Sequence, residues 1–331
     1  MACDIFAHEF RWNEPYGAYA RSLGITADTL PQRHADIPAV PAAAFKEAVL
    51  CTAGAEKAST WFETSGTTGA GGRHYLESPQ LYEAALLATF DRQMLADGVR
   101  LRYLLLVPDA RERPHSSLGF MMDRVATLRG DGCTGRYLRD DMLDIEAFAA
   151  DCARAVDAAA PVCIATTAFA LVAVLDELER TARRFVLPAG SRVMETGGFK
   201  GRTRIVERDE LYARTAACFG LTISSIVAEY GMTELSSQYY DSAASRGGTA
   251  RVKTAPPWLR PLVVDTTGRA VAPGIVGAIR HIDCANRSSV VAIETEDLGA
   301  LTADGLILLG RERGAELRGC SLDAEDLAAR S

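Results

Sequence analysis

The alternation of strand-like and helix-like segments between residues 78 and 227 constrains the fold of this chain most strongly. Ser78-Pro79 predicts an N-cap followed by proline at the first helical position, and Gly98 predicts the end of that helix. The apolar run 101–107 stops at Pro108 and predicts a buried strand. Further helices are predicted at 118–129, 142–159, 169–183 and 208–219, and further strands at 162–165, 192–195 and 223–227. This order is typical of an α/β fold in which helices cover a parallel or mixed sheet.

The residue composition and the predicted elements at the two ends of the chain differ from those of the middle. The first 60 residues mix aromatic residues with proline and predict short helices. From about residue 248, short β-like runs at 262–264, 277–282, 290–293 and 306–309 are separated by Gly, Pro, Asp and Asn. We therefore predict an α/β core over residues 1–247, a smaller β-rich lobe over 248–311 and a C-terminal stub over 312–331.

Composition excludes several classes of protein. The 331 residues are 48% hydrophobic, enough for a substantial core, and the formal net charge of −7 argues against a nucleic-acid partner. No apolar run reaches about 18 residues, so no membrane span is expected. The N-terminus has no basic region followed by an apolar one, and the eight cysteines contain no Cys-x-x-Cys pair. These features predict a cytoplasmic protein with free thiols.

Residues 64–69 form a run of small hydroxyl residues and glycines directly after Trp61-Phe62. The run reads Thr64-Ser65-Gly66-Thr67-Thr68-Gly69. Such a run can wrap backbone N–H groups and hydroxyls around phosphate oxygens, because glycine permits close approach and positive φ. A run of this composition on its own is usually a solvated turn.

Residues 230–234 place an aromatic ring, a hydroxyl and a carboxylate within five positions, just after a predicted strand. The segment reads Tyr230-Gly231-Met232-Thr233-Glu234. These groups suit a nucleotide base, a phosphate and a Mg²⁺ ion, for which Glu234 is the candidate ligand. The alternative interpretation is a strand end followed by a helix N-terminus with an acidic residue on its dipole.

Together, in this order, the two segments resemble the adenylate-forming enzymes, which activate a carboxylate with ATP. The resemblance implies an adenylate-forming core that binds ATP and Mg²⁺, with Thr64, Ser65, Gly66, Thr67, Thr68 and Gly69 at the phosphates and Thr233 and Glu234 as catalytic residues. Tyr230 would contact the nucleotide.

Four further segments fall in the order that this family shows. His115 and Gly119 resemble the His-x-x-x-Gly segment that lines the acyl pocket, and Gly197-Gly198 resembles the turn that backs the adenine. Thr295-Glu296-Asp297-Leu298-Gly299 resembles the segment whose aspartate holds both ribose hydroxyls, and Arg311 matches the arginine that also reaches the ribose. Glu296 stands where the family usually has glycine, so the turn there is expected to differ. Each segment also has a purely structural interpretation, as a helix start or an ordinary turn.

The closing stretch 318–326 resembles the entry to the mobile C-terminal lobe of the family. That lobe usually has about 100 residues and supplies a lysine to the adenylation site. This sequence ends at Ser331 with no lysine after Lys253, so the lobe is expected to be absent or reduced to a stub. One compact branch fits this pattern, the acyl-protein synthetase of the bacterial bioluminescence fatty-acid reductase complex, which is related to the phenylacetate–CoA ligases. Its members form an acyl-AMP and pass the acyl group to a cysteine and onward to a partner protein.

Lys200 and Cys320 are the remaining catalytic candidates. The chain has only four lysines, and Lys200 is the one that follows the Gly197-Gly198 turn. A cysteine becomes nucleophilic when a nearby cation lowers its pKa, and Arg318 is two positions from Cys320. The alternatives are a solvated lysine and a small buried thiol.

The sequence thus predicts an adenylate-forming ligase that loads an acyl group onto a protein thiol. A coenzyme A ligase of the phenylacetate type is an alternative, and a non-catalytic nucleotide- or acyl-binding subunit of a larger complex is another. The substrate is expected to be a small-molecule carboxylic acid, and the acceptor a reductase or carrier protein or coenzyme A. The sequence identifies neither the acid nor the oligomeric state.

Overall fold

The computed structural model describes residues 1–64, 71–140, 142–197, 206–242 and 251–311. The helices are α1 (Ala2–Trp12), α2 (Glu14–Ser22), α3 (Ala44–Glu47), α4 (Gln80–Met94), α5 (Ser117–Arg129), α6 (Ile145–Asp157), α7 (Ala168–Arg180) and α8 (Arg208–Phe219). The first eight strands are β1 (Val40–Pro41), β2 (Thr60–Glu63), β3 (Arg73–Leu76), β4 (Leu101–Leu106), β5 (Gly130–Arg136), β6 (Leu138–Arg139), β7 (Met142–Leu143) and β8 (Val162–Thr167). The others are β9 (Arg192–Thr196), β10 (Ile226–Tyr230), β11 (Tyr239–Asp241), β12 (Val252–Thr254), β13 (Leu259–Val264), β14 (Gly277–Asp283), β15 (Ala292–Thr302) and β16 (Gly305–Arg311).

The chain divides into two compact units. The first unit contains Met1–Thr89, Gly231–Tyr239 and the described residues from Val252 onward. The second unit contains Phe90–Tyr230 and the segment that begins at Tyr240. The boundaries at residues 247 and 311, which rest on residue composition and predicted elements, stay predictions.

In the first unit, strands follow the order β13-β14-β15-β16-β12, and every pair is antiparallel except β1 on β15. Strand β1 runs parallel to the first half of β15, at Ile293 and Glu294, and β16 pairs with its second half. A separate antiparallel hairpin joins β2 to β3 and pairs Phe62 with His74. The described end of the 64–69 run, Thr64, follows β2 directly.

In the second unit, strands follow the order β11-β10-β9-β8-β4-β5. The pairs from β10 to β5 are all parallel, as the alternation of strands and helices predicts. Strands β4 and β8 are buried along nearly their whole length, and α6, α7 and α8 pack on them through Phe148, Leu171 and Phe219. The carboxyl ends of these parallel strands share one edge, which is where α/β sheets bind ligands.

Local sequence explains most element boundaries. Ser78 accepts a hydrogen bond from the Gln80 N–H at the start of α4, and Gly98 follows with φ +69°, as predicted. Helix α6 begins later than predicted, because Met142–Leu143 forms β7 and Asp144 caps the helix by accepting from the Ala147 N–H. None of the helices in the described part of the chain combines the length and the apolar character that a membrane span requires.

Candidate active site

Thr233 and Glu234 lie in a tight turn three and four residues after β10 ends at Tyr230. The Leu235 N–H donates to the Met232 carbonyl and closes the turn. The residues are only 2% and 8% exposed, so the turn places a hydroxyl and a carboxylate inside the protein. A buried carboxylate needs compensating partners, and its backbone must be fixed if it is to hold a ligand.

Thr233 contacts both strands that flank the 64–69 loop. Its Oγ1 donates to the Glu63 carbonyl on β2 at 3.4 Å, and its own carbonyl lies 2.8 Å from Nδ1 of His74 on β3. The 230–234 segment is therefore bound, within the first unit, to the residue that precedes the 64–69 run, 170 positions away.

The protonation of His74 follows from its surroundings. The ring is fully buried, and burial lowers its pKa to about 4, against a smaller opposite effect of the Thr233 carbonyl. The imidazole is therefore neutral at pH 7. A carbonyl only accepts hydrogen bonds, so Nδ1 carries the proton and donates to Thr233.

The base of the 64–69 loop is closed by reciprocal hydrogen bonds. The Thr64 N–H donates to the Gly72 carbonyl at 2.8 Å, and the Gly72 N–H donates to Thr64 Oγ1 at 2.7 Å. A Cβ at Gly71 would lie 2.5 Å from the Thr64 carbonyl, so the closure requires glycine there. The predicted phosphate-binding residues Ser65, Gly66, Thr67, Thr68 and Gly69 lie outside the described residues.

Two side chains at and just after the end of β14 bind residues 234–237. Asn286 Nδ2 donates to the Glu234 carbonyl at 2.8 Å. Asp283 accepts from the Ser236 N–H at 3.0 Å and from Ser237 Oγ at 2.8 Å. Burial raises the pKa of Asp283 to about 6, although these hydrogen bonds act in the opposite direction.

Asp297, the predicted ribose ligand, is half-buried in β15, where its register partner is Arg311 on β16. The segment was expected to differ from the family's turn at Glu296, and in the structure residues 295–297 belong to a continuous strand in which Glu296 is exposed. Thr295 is anchored through Oγ1 to the Ile279 carbonyl at 3.0 Å. A Cβ at Gly299 would lie 2.6 Å from the Ile307 carbonyl, so close strand packing requires this glycine. Of Arg311 only the backbone is described.

In the second unit, two candidate residues lie at the carboxyl ends of neighbouring parallel strands. Gly197 follows β9, and Tyr230 is the last residue of β10. Thr196 pairs in register with Glu229, and its Oγ1 donates to the Glu229 carboxylate. Gly197 has φ +79°, and a Cβ there would meet no atom of the described residues within 4 Å. The described part of the chain thus leaves room for a flat ring beside this backbone.

His115 is half-buried immediately before α5, at the same carboxyl edge of the second unit's sheet. Ser116 caps this helix by accepting from the Gly119 N–H at 3.1 Å. A Cβ at Gly119 would lie 2.8 Å from the Pro108 carbonyl, so packing alone accounts for the glycine of the His-x-x-x-Gly pattern. The predicted residues Gly198, Lys200 and Cys320 lie outside the described residues.

The family model of acyl-protein synthetase, LuxE, matches residues 2–327 of the 331 residues. The chain belongs to the LuxE acyl-protein synthetase family. This match confirms the resemblance that the motifs indicated. A comparison with curated protein sequences finds no match.

Solved structures show which fold this LuxE-family chain shares. A 2-hydroxyisobutyryl-CoA ligase, solved in an open conformation with 2-HIB-AMP and CoA, is 13% identical, with a TM-score of 0.67 over 93% of this chain and 73% of that one. MatB from Rhodopseudomonas palustris, solved with ATP, is 18% identical, with a TM-score of 0.55 over 78% and 49% of the two chains. MenE from Bacillus subtilis, an O-succinylbenzoate coenzyme A synthetase solved with AMP, is 18% identical, with a TM-score of 0.53 over 78% and 50%. The LuxE-family chain spans about half the length of MatB and MenE. These likenesses confirm the predicted α/β fold of an adenylate-forming core.

Three residues around the turn of this LuxE-family chain were not predicted from the sequence: His74, Asp283 and Asn286. Each is buried and binds the 233–237 segment through a backbone or hydroxyl group. No local pattern marks them, since His74, for example, lies between the charged Arg73 and Tyr75. Among the described residues, no group of three or more His, Cys, Asp or Glu side chains is arranged to hold a metal ion.

Proposed function

We propose that this chain activates a carboxylic acid with ATP, forms an acyl-adenylate and transfers the acyl group to a protein thiol. Membership of a family of acyl-protein synthetases supports both steps. The observation that carries the proposal is the pair of contacts by which Thr233 reaches Glu63 and His74, on either side of the 64–69 loop. A glycine-rich loop and a Thr-Glu pair held together suit a triphosphate.

The chemistry explains what such a site must do. A carboxylate is a poor electrophile, because its carbonyl carbon is electron-rich and it lacks a good leaving group. In the proposed first step a carboxylate oxygen attacks the α-phosphorus of ATP, the bond from that phosphorus to the bridging oxygen breaks, and pyrophosphate leaves with the electron pair. In the second step a thiolate attacks the carbonyl carbon of the anhydride, and AMP leaves. The site must therefore bring two anions together and stabilise the charge that develops.

The residues in the first unit fit these demands. Glu234 would hold a Mg²⁺ ion that arrives with the phosphates, since Mg²⁺ is usually bound through one or two carboxylates plus substrate oxygens. When bound, that ion would neutralise phosphate charge. The hydroxyls of Thr67, Thr68 and Thr233 and the N–H groups at 66–69 are proposed to bind phosphate oxygens. Asp297 and Arg311 are proposed to bind the ribose, supported by their paired positions on β15 and β16.

The remaining candidate residues are assigned separately. Gly197, Gly198 and Tyr230 are proposed for the adenine, supported by the room that the described residues leave beside Gly197. His115 is proposed for the acyl pocket, Lys200 as a cation for the reacting carboxylate, and Cys320 as the acyl-accepting thiol. We also propose a cytoplasmic location, because the seven cysteines that the structure describes are free thiols.

The test is acid-dependent exchange of labelled pyrophosphate into ATP, across a panel of aryl, amino and fatty acids. Glu234→Gln should lower the exchange rate by about 10²-fold or more, the scale for one electrostatic stabiliser of a transition state. Glu47→Gln, an exposed glutamate on α3, is the matched control and should exchange at the wild-type rate. Wild-type exchange in Glu234→Gln would refute the role of Glu234. Release of acyl-coenzyme A, with no acyl-protein, would favour the coenzyme A ligase alternative, and absence of exchange with every acid would favour the non-catalytic one.

A further inference from the structure

The connection between β14 and β15, residues 284–291, is a buried loop. Loops usually lie at the surface, because a buried loop carries backbone polar groups that need partners. Here Asn286 is 1% exposed and Ser289 is fully buried, as is Asp283 at the end of β14. Three polar side chains within seven residues are buried, and burial of polar groups is costly unless hydrogen bonds compensate.

These side chains are used to hold the 233–237 segment. Asn286 Nδ2 donates to the Glu234 carbonyl, and one Asp283 oxygen accepts from the Ser236 N–H. The other Asp283 oxygen accepts from Ser237 Oγ at 2.8 Å and from the Ala285 N–H at 3.0 Å. Asp283 and Asn286 therefore bind the segment at three positions, Glu234, Ser236 and Ser237, of which the first is the residue proposed to bind Mg²⁺.

The same loop is fixed from its opposite side by α1 and its C-cap. Glu9 Oε2 accepts from the Val291 N–H at 3.0 Å, and Asn13 Nδ2 donates to the Ser289 carbonyl at 2.9 Å. Glu9 and Asn13 are four residues apart and so project from one face of the helix. Ser289 Oγ in turn donates to the Leu50 carbonyl at 2.8 Å. The loop is thus hydrogen-bonded to α1 and its C-cap as well as to the 233–237 segment.

We propose that Asp283 and Asn286 are positioning residues, which hold the backbone of Glu234 in place for carboxylate activation. This inference rests on the proposed function. Neither side chain needs to touch a substrate. They act by binding the Glu234 carbonyl and the Ser236 N–H. These backbone groups fix the orientation of the Glu234 side chain.

The hydrogen-bond pattern of Asp283 and Asn286 requires these two residue types. Both Asp283 oxygens face backbone N–H donors, so an asparagine amide would oppose one of them in either orientation. Asn286 donates to two carbonyls, of Glu234 and Val290, which aspartate could not do. Replacing either residue by its isostere therefore keeps the shape but breaks a hydrogen bond, because it sets a donor against a donor at residue 283 or an acceptor against an acceptor at residue 286.

The experiment measures pyrophosphate exchange and thermal unfolding for Asn286→Ala, Asn286→Asp and the exposed-neighbour control Arg287→Ala. A displaced catalytic group affects the transition state more than binding, so kcat should fall by about 10- to 100-fold in both Asn286 variants while KM for ATP changes less than about 3-fold. Arg287→Ala should keep the wild-type kcat. Ser237→Ala leaves the Asp283 carboxylate in place but removes the hydrogen bond that Ser237 Oγ donates to it and the one that Oγ accepts from Trp258 Nε1, and it should lower kcat by about 3- to 10-fold.

A merely structural role predicts lower thermal stability with an unchanged kcat per folded molecule. Wild-type kcat in folded Asn286→Asp or in Ser237→Ala would overturn the inference while the proposed function stands. Absence of exchange in the wild type, with every acid, would overturn both.

Discussion

A neutral imidazole and a backbone carbonyl form one of the contacts on which the candidate site depends. His74 donates from Nδ1 to the Thr233 carbonyl. Its ring packs edge-on against Phe45, with 5.7 Å between the ring centroids. Protonation would place a charge in this buried, largely apolar place. The site should therefore be sensitive to acid at His74.

His74→Asn tests this dependence. Asparagine keeps an N–H donor for Thr233 but does not titrate. The pKa of His74 is lowered to about 4, below its unfolded value near 6.5, so the unfolded state binds more protons within that window. Wild-type stability should therefore fall as pH drops from about 6.5 to 4, and the variant should lose about 2 kcal/mol less than wild type between pH 7 and 4.5.

Urea unfolding at both pH values measures this difference, with His8→Asn, at a half-buried position of α1, as the matched control. An equal pH dependence of wild type and His74→Asn would show that His74 does not titrate as its burial requires.

Asp297→Ala tests the ribose assignment. If the carboxylate accepts from two ribose hydroxyls, its loss should weaken ATP binding by roughly 1.5–3 kcal/mol. Wild type should discriminate against 2′,3′-dideoxy-ATP in a competition assay, and the variant should not. Glu296→Gln, the exposed neighbour on β15, should behave as wild type. Unchanged discrimination in Asp297→Ala would remove this residue from the nucleotide site.

At the scale of secondary-structure elements, α1 docks on the residue before β15 through a buried carboxylate. Glu9 is fully buried, and burial raises its pKa well above the usual range, although the Val291 N–H acts in the opposite direction. One oxygen accepts from Val291, and the other has no hydrogen-bond partner among the described residues.

Glu9→Gln should therefore stabilise the protein at high pH. The amide keeps an oxygen for Val291 and carries no charge to bury. Because the folded pKa of Glu9 is raised, the folded state binds the proton more tightly, and wild-type stability falls as pH rises through that window. Between pH 4.5 and 8, the free energy of unfolding of the variant should rise relative to that of wild type by about 1 kcal/mol or more. Thermal or urea unfolding measures this difference. A variant less stable than wild type at pH 8 would contradict this account, and Glu47→Gln serves as the exposed control.

The sequence allows most elements of the parallel sheet to be predicted, because their apolar runs and caps are local signals. Helices α4, α5, α7 and α8 and strands β4, β8 and β9 lie within a few residues of their predicted positions. Strand β5 was not predicted, since Gly130–Arg136 contains three glycines and almost no apolar residue, and only pairing with β4 makes it a strand. Of the site, Thr64, Thr233 and Glu234 were predictable from motifs. His74, Asp283 and Asn286 were not, because contacts 159, 47 and 52 positions apart leave no local pattern.

At the scale of the whole molecule, the family model matches residues 2–327, a range that includes Cys320. Cys320 is proposed to accept the acyl group. Cys320→Ser should separate the two half-reactions. Activation needs no thiol, so pyrophosphate exchange should persist. A serine ester would form slowly and resist transfer, because an alkoxide is a far poorer leaving group than a thiolate. After incubation with ATP and labelled acid, the hydroxylamine-labile acyl-protein should fall to background.

Cys284→Ser, at a half-buried described cysteine, is the control and should label as wild type. Peptide mapping that finds the label on another cysteine would transfer the role from Cys320 to that residue.

Carboxylate activation by adenylation is the central claim, and oxygen transfer from the acid to AMP tests it most directly. Each acid of the panel is supplied with both carboxylate oxygens as ¹⁸O, and the nucleotide product is analysed by mass spectrometry. Attack of the carboxylate on the α-phosphorus, followed by acyl transfer to a thiol, leaves one acid-derived oxygen on phosphorus. The account predicts AMP that carries one ¹⁸O, with unlabelled pyrophosphate. ADP with ¹⁸O in inorganic phosphate, or AMP without label for every acid consumed, would contradict it.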